Sequence, residues 1–178
     1  NNGYKCSQKK LCKAETNYDL LHANIYCMKD ANKNNYKNIL ILEDDFQFDD
    51  QIKDNKIIKD IEIFFKNNKF NIYSLGNLNT IFIPNIKNIK HHKILLGTVS
   101  HSLIFSKEAR NIIIKEYNKN KCLNNVPFFK GHDMWFNTFL DKRYFYYKPL
   151  CYQLIQKTEN RNKWSNKFFD LLFKLLKF

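Results

Sequence analysis

Apolar positions recur along the chain with two periods, and the switches between them divide it into helices and strands. Leu21, Ile25 and Met28, flanked by Leu20, Cys27 and Ala31, fall at i, i+4 and i+7, which lines one helical face and predicts a helix from about residue 17 to 32. After a polar turn, Asn38-Ile39-Leu40-Ile41-Leu42 is a short continuous apolar run, the mark of a buried strand, and it empties into the acidic loop Glu43-Asp44-Asp45. Ile52, Ile57, Ile58, Ile61, Phe64 and Phe65 return to helical spacing over 51–67, and Phe70 to Leu75 reads as another strand, closed by Gly76. Two short apolar runs, Ile81 to Ile83 and Ile94 to Leu96 with Pro84 between them, predict a hairpin or excursion. His91 and His92 fall there in a basic loop and receive no role. Ser102-Leu103-Ile104-Phe105 predicts a strand, and Ser106 is placed to cap a helix through Ala109, Ile112, Ile113 and Tyr117, with Glu108 in its first turn. Beyond the loop around Pro127, Gly131-His132-Asp133 opens a helix through Trp135, Phe136, Phe139 and Leu140, and Tyr144 to Tyr147 returns as a strand. The alternation predicts an α/β fold with mixed strands and no repeats.

Composition narrows this without changing it. At 178 residues, 44% hydrophobic and 16% aromatic, the chain can bury the core of one domain, and with only Gly 4 and Pro 3 it lacks the turns of an all-β sandwich. No apolar run reaches the roughly 18 residues of a membrane span. Asn1 to Lys5 hold neither an initiator Met nor an apolar leader, so the chain is expected to be a fragment or a processed form. Residues 1–16 read as a partial N-terminal segment, 17–160 as the main domain and 161–178 as a basic amphipathic tail. In that tail Phe168 to Phe178 form a helix centred on Leu171, Leu172, Leu175 and Leu176, which either packs on the domain or lies on a membrane surface.

A net charge of +13 suits anionic ligands, but the lysines are spread along a chain crowded with Asn and Ile, which favours general attraction for anions over specific nucleic-acid binding. Five cysteines without a Cys-x-x-Cys pair point to neither a zinc knuckle nor a disulfide framework; Cys6 and Cys12 could bridge locally in an oxidising compartment, and most are expected to be small buried hydrophobes.

Three places could carry chemistry. The carboxylates of Glu43, Asp44 and Asp45 at a strand's end repel one another, so either a hard cation such as Mg²⁺ or Mn²⁺ compensates them or they form a solvated turn that caps the next helix. Asp133, opening a helix, is either a carboxylate held toward a cleft or an ordinary cap. Gly97-Thr98-Val99-Ser100-His101 is a small polar break whose backbone N–H groups and hydroxyls can meet a ligand; taken alone, His101 reads first as a satisfied structural residue.

The order of these pieces, His22 to Met28, Ile39 to Phe46 with its Glu43-Asp44-Asp45, Gly97-Thr98 to Ala109, then His132-Asp133-Met134-Trp135, resembles glycosyltransferase family 25, the lipooligosaccharide and procollagen galactosyltransferases, over about residues 15–160. The resemblance implies a Rossmann-related GT-A fold, with the acidic triplet (Glu43, Asp44, Asp45) as its Asp-x-Asp motif holding Mn²⁺ or Mg²⁺ and Asp133 opening a helix beneath the acceptor site. It further implies substrate contacts from Gly97, Thr98, Ser100, His101, His132, Trp135, Gln153, Glu159 and Asn160. The chain departs from the family where His101 stands in place of a common tyrosine, and nothing before Asn17 matches the family's first, nucleotide-binding strand.

The expected activity is transfer of a hexose, galactose by resemblance, from a nucleotide diphosphate sugar to a glycan or protein hydroxyl with inversion, as in lipopolysaccharide biosynthesis. A cation on Asp45, assisted by Glu43 or Asp44, would neutralise the leaving diphosphate, and Asp133 would take the acceptor's proton. The competing expectations are a metal-dependent nuclease or phosphotransferase, whose compact acidic-and-lysine strand motif is not evident after Asp45, and a non-catalytic binding module.

Overall fold

Helix α1 (Thr16–Lys33) buries Leu21, Ile25, Met28 and Ala31, the stripe its spacing marks out. It ends where Asn35 enters the left-handed region at φ 58°, so that Tyr36 N–H reaches back to the Ala31 carbonyl at 3.0 Å and Asn35 N–H to Asn32 at 3.1 Å. These coordinates are a computed structural model, which describes residues 16–76, 81–85, 88–97, 101–120 and 132–153. The segment before Thr16 and the 161–178 tail, on which the helix expected over 168–178 falls, lie outside the described residues.

The strands are β1 (Asn38–Leu42), β2 (Phe46–Phe48), β3 (Ile72–Ser74), β4 (Ile81–Ile83), β5 (His91–Leu96), β6 (Ser102–Ser106), β7 (Arg143–Tyr146) and β8 (Cys151–Gln153). The further helices are α2 (Asn55–Asn67), α3 (Lys107–Asn120) and α4 (His132–Phe136). Six strands form one sheet in the order β1-β6-β3-β7-β5-β4, in which β3 and β7 are parallel and every other neighbouring pair antiparallel. Side chains alternate across it. One face carries Ile39, Ile41, Ile72, Leu103 and Phe105 against α1, α3 and the α4 segment; the other carries Tyr73, Ile104, Tyr144 and Tyr146 against Ile57, Ile61 and Phe64 of α2. The fold is therefore α/β, a mixed six-stranded sheet flanked by helices.

Several expectations change at this level. β1 is an edge strand, not a buried one: among the described residues it pairs only with β6, and Leu40 on its α2-side face is 43% exposed. The single helix expected over 51–67 is divided into a 3-10 turn, Asp50–Lys53, and α2, because the carboxylates of Asp49 and Asp54 each accept a backbone N–H, from Gln51 and Lys56, at 2.8 Å. His91 and His92 begin β5 instead of lying in a loop, and His91 is fully buried. The helix opened by His132 stops at Phe136, after which Asn137 and Thr138 N–H groups make tight i−3 bonds to Met134 and Trp135. Cys27 is exposed, Cys151 buried, and both are free thiols. Residues 46–48 and 151–153, to which the apolar spacing assigns no element, pair as a two-stranded ribbon, β2 with β8.

Candidate functional site

β1, β3 and β7 run in one direction, so their carboxyl ends share one rim of the sheet, the rim at which open α/β sheets usually take ligands. Glu43, Asp44 and Asp45 follow β1 there, and Leu75 and Gly76 follow β3. β6 enters from the same rim: Glu43 N–H donates to the His101 carbonyl at 3.0 Å, and Leu75 N–H donates to Ser102 at 3.1 Å. The β2–β8 ribbon is tied to it as well, since Leu150 N–H donates to the Leu75 carbonyl at 2.8 Å and Asp49 N–H to Leu150 at 3.0 Å.

The three carboxylates of the triplet have different surroundings. Asp44 is exposed and Glu43 half-buried, whereas Asp45 is only 7% exposed. Asp45 Oδ2 accepts from Gln153 Nε2 at 2.7 Å, and its Oδ1, equally shut from water, has no hydrogen-bond partner among the described residues. A buried carboxylate oxygen left in this way is costly. Among the described residues no three His, Cys, Asp or Glu side chains converge as a metal cage. What the rim offers is one buried hard oxygen, which fits an ion such as Mg²⁺ or Mn²⁺ that takes one or two carboxylates and completes its shell from water and substrate phosphate.

Gly76 gives this rim its tightness. A Cβ there would lie 2.7 Å from Cε1 of His101 and 2.8 Å from the Cys151 carbonyl oxygen, so the imidazole, itself 1% exposed, packs against bare backbone. His101 is thus a buried wall of the rim. Ser102 lies beside the Cys151 thiol, whose pKa is raised by burial first and by the Asp45 charge last, which keeps it protonated and unreactive.

A second grouping joins β5 to α4. Asn137 holds the backbone of Gly97 from both sides, its Oδ1 accepting the Gly97 N–H at 3.0 Å and its Nδ2 donating to the Gly97 carbonyl at 2.7 Å. The same Nδ2 donates to the Asp133 carbonyl at 3.1 Å. Asp133 is the second residue of α4 rather than its cap, with Oδ1 accepting the adjacent Met134 N–H at 2.8 Å. Burial outweighs that bond and pushes its carboxyl up to about 6. Trp135, 7% exposed, packs in the core with its ring centroid 4.8 Å from that of Phe139.

Of the residues expected at the site, Asp45, His101 and Gln153 meet at the rim, and Gly97 and Asp133 are joined through Asn137. Thr98, Ser100, Glu159, Asn160 and the side chain of His132 lie outside the described residues. Asn137 and Gly76 escape a reading of spacing alone, because the one bonds to backbone 40 residues away and the other is defined by a ring 25 positions on. The groove of about 520 Å³ lined by Asn32, Asn111, Ile114, Lys115 and Asn118, between α1 and α3, contains none of these residues. No protein-family model matches the chain, and no curated protein matches it.

Proposed function

We propose that the chain is a metal-dependent glycosyltransferase domain of GT-A type, moving a hexose, with galactose the first candidate, from a nucleotide diphosphate sugar to a glycan or protein hydroxyl with inversion. The observation that carries this reading is Asp45: a buried carboxylate with one oxygen fixed by Gln153 and the other unpartnered, at the carboxyl end of β1. The resemblance of the ordered segments to family 25 supports it, as does the α/β architecture with helices on both faces of the sheet.

Asp45 Oδ1, with Glu43 or Asp44 beside it, would hold Mn²⁺ or Mg²⁺. Such an ion supplies Lewis-acid stabilisation of the departing diphosphate. Gln153 keeps Asp45 turned inward, and the chain's +13 charge attracts the anionic donor. Asp133 takes the proton of the acceptor hydroxyl while that oxygen bonds to the anomeric carbon and the sugar–diphosphate bond breaks, its electron pair leaving with the diphosphate. A carboxyl at about 6 is mostly ionised at neutral pH and a stronger base than an ordinary aspartate.

Calorimetry with Mn²⁺ and a panel of nucleoside diphosphates tests the reading. The wild type is expected to bind nucleoside diphosphate in the presence of Mn²⁺ and to lose at least about tenfold of that affinity as Asp45→Ala, with an unchanged fold. Unchanged binding in Asp45→Ala removes the triplet from the site. Metal-dependent cleavage of nucleic acid without sugar transfer would replace the reading by the nuclease alternative.

A further inference from the structure

The far edge of the sheet carries a different kind of surface, and its reading does not depend on the glycosyltransferase proposal. β4 is the last strand, so its outer backbone groups have no sheet partner among the described residues. All three of its side chains are apolar and exposed: Ile81 at 60%, Phe82 at 45% and Ile83 at 50%. Alternation sends them to both faces of the strand. Phe82 stacks on His92 with centroids 5.0 Å apart, and also meets Phe145 edge-on at 5.2 Å, so it is braced from within while its outer side stays open. Ile89, just before the partner strand β5, Leu95 within it, and Tyr147 add further exposed apolar side chains. An exposed apolar edge of this kind is one that soluble proteins normally blunt.

The charge around it selects the partner. From Ile63 to Lys107 the sequence holds no Asp or Glu at all, but six lysines. Lys90 is paired with Asp60 at 3.0 Å; Lys93 and Lys148 have no carboxylate partner among the described residues. A second copy of the chain would set these lysines against themselves, and a three-residue strand offers too few backbone bonds to hold a partner by strand addition. A fluid anionic surface has neither problem. It accepts a wedge that is apolar on both faces, and its headgroups pair with the flanking lysines. No described helix is long and apolar enough to cross a membrane.

We propose that the β4–β5 hairpin is a membrane-contact wedge, inserting Ile81, Phe82 and Ile83 into the interface of an anionic lipid bilayer with Lys93 and Lys148 on its headgroups.

The test uses the full chain and vesicles of phosphatidylglycerol with phosphatidylcholine, against pure phosphatidylcholine. The wild type is expected to sediment with the anionic vesicles only, and the double variant Ile81→Ser, Ile83→Ser to lose about tenfold or more of that binding with an unchanged melting curve. Phe82→Trp gives a readout that does not depend on the double variant folding: its emission should gain a blue-shifted, bromolipid-quenched component with anionic vesicles, beyond the wild-type signal. A wild type that ignores anionic vesicles overturns the proposal. So does a folded double variant that binds like wild type, which would assign binding to the Phe168–Phe178 segment. A solution dimer that the double variant abolishes would make the edge an interface between copies, again overturning it.

Discussion

Asp133 carries the sharpest test at the scale of single residues. As the base it must be ionised to accept a proton, so kcat/KM is expected to rise with pH and level off above about 6, where burial has moved its carboxyl. Asp133→Asn keeps the shape and the oxygen that accepts the Met134 N–H at 2.8 Å, yet cannot titrate. Turnover should fall by roughly 10²- to 10⁴-fold and the ascending limb should vanish, with donor binding unchanged. Near-normal turnover in the folded variant would move the search for the base to Glu43, Asp44 or Glu159. Residue chemistry of this sort is legible in the sequence as far as type and neighbourhood go: a carboxylate triplet at a strand's end, an aspartate at the start of a helix. Which carboxylate of the triplet turns inward is not, because that is decided by Gln153, 108 positions away. Gly76 likewise reads as a strand's end, and only the folded ring of His101 explains why the residue has no side chain.

Elements follow the sequence wherever their signals are local. The period of α1 and the cap of α3, where Ser106 Oγ accepts the Ala109 N–H at 3.1 Å, are both set within a few residues. The β2–β8 ribbon is not legible, since three-residue strands carry no measurable period and pair across a hundred positions. The break between Lys53 and Asn55 is hidden because the apolar spacing runs on through it while aspartates claim the backbone. What joins elements is a still longer-range matter, and Arg110 of α3 is the clearest case. Fully buried, it donates from Nε to Asn32 Oδ1 at 2.9 Å, from Nη1 to the Phe105 carbonyl at 3.2 Å and from Nη2 to the Tyr36 carbonyl at 2.5 Å, binding α3 to the α1–β1 corner. Arg110→Met should fill much of the space but leave those carbonyls unsatisfied, lowering stability by about 2–4 kcal/mol in urea unfolding. Arg110→Lys should recover little of it, as one ammonium cannot span the same acceptors. A loss under 1 kcal/mol would show that the corner holds without the guanidinium.

At the scale of the whole molecule, the two faces of the sheet answer acid in opposite directions. The α/β class is legible because the two apolar periods alternate; the strand order is not, since it rests on pairings such as β1 with β6 that no local pattern specifies. One consequence of that order is that His91 is packed beneath α2, stacked 4.2 Å from Phe64 and 2.8 Å from the Tyr73 hydroxyl through Nδ1, with Tyr146, Asp60, Lys90 and His92 around it. Burial chiefly lowers its pKa from 6.5 to about 4. The unfolded chain therefore binds a proton there that the folded chain refuses, and the stability His91 contributes above pH 6.5 is lost as pH falls toward 4. Asp133, on the other face, is raised from 3.8 to about 6, so the folded chain holds a proton there that the unfolded one releases, and its contribution grows as pH falls through the same window. Between about pH 6 and 4 the two proton counts cancel. Asp49, held below the usual carboxylate range by the Gln51 N–H, titrates beneath that window. Removing Asp133 as a titrating group should unmask His91. Unfolding free energies of Asp133→Asn, measured in urea from pH 6 down to 4.5, should fall more steeply than those of the wild type by about 1.4 kcal/mol per pH unit. Parallel slopes for the two proteins would mean that the Asp133 carboxyl is ionised throughout the window, and the same result would withdraw the raised pKa on which its strength as a base depends.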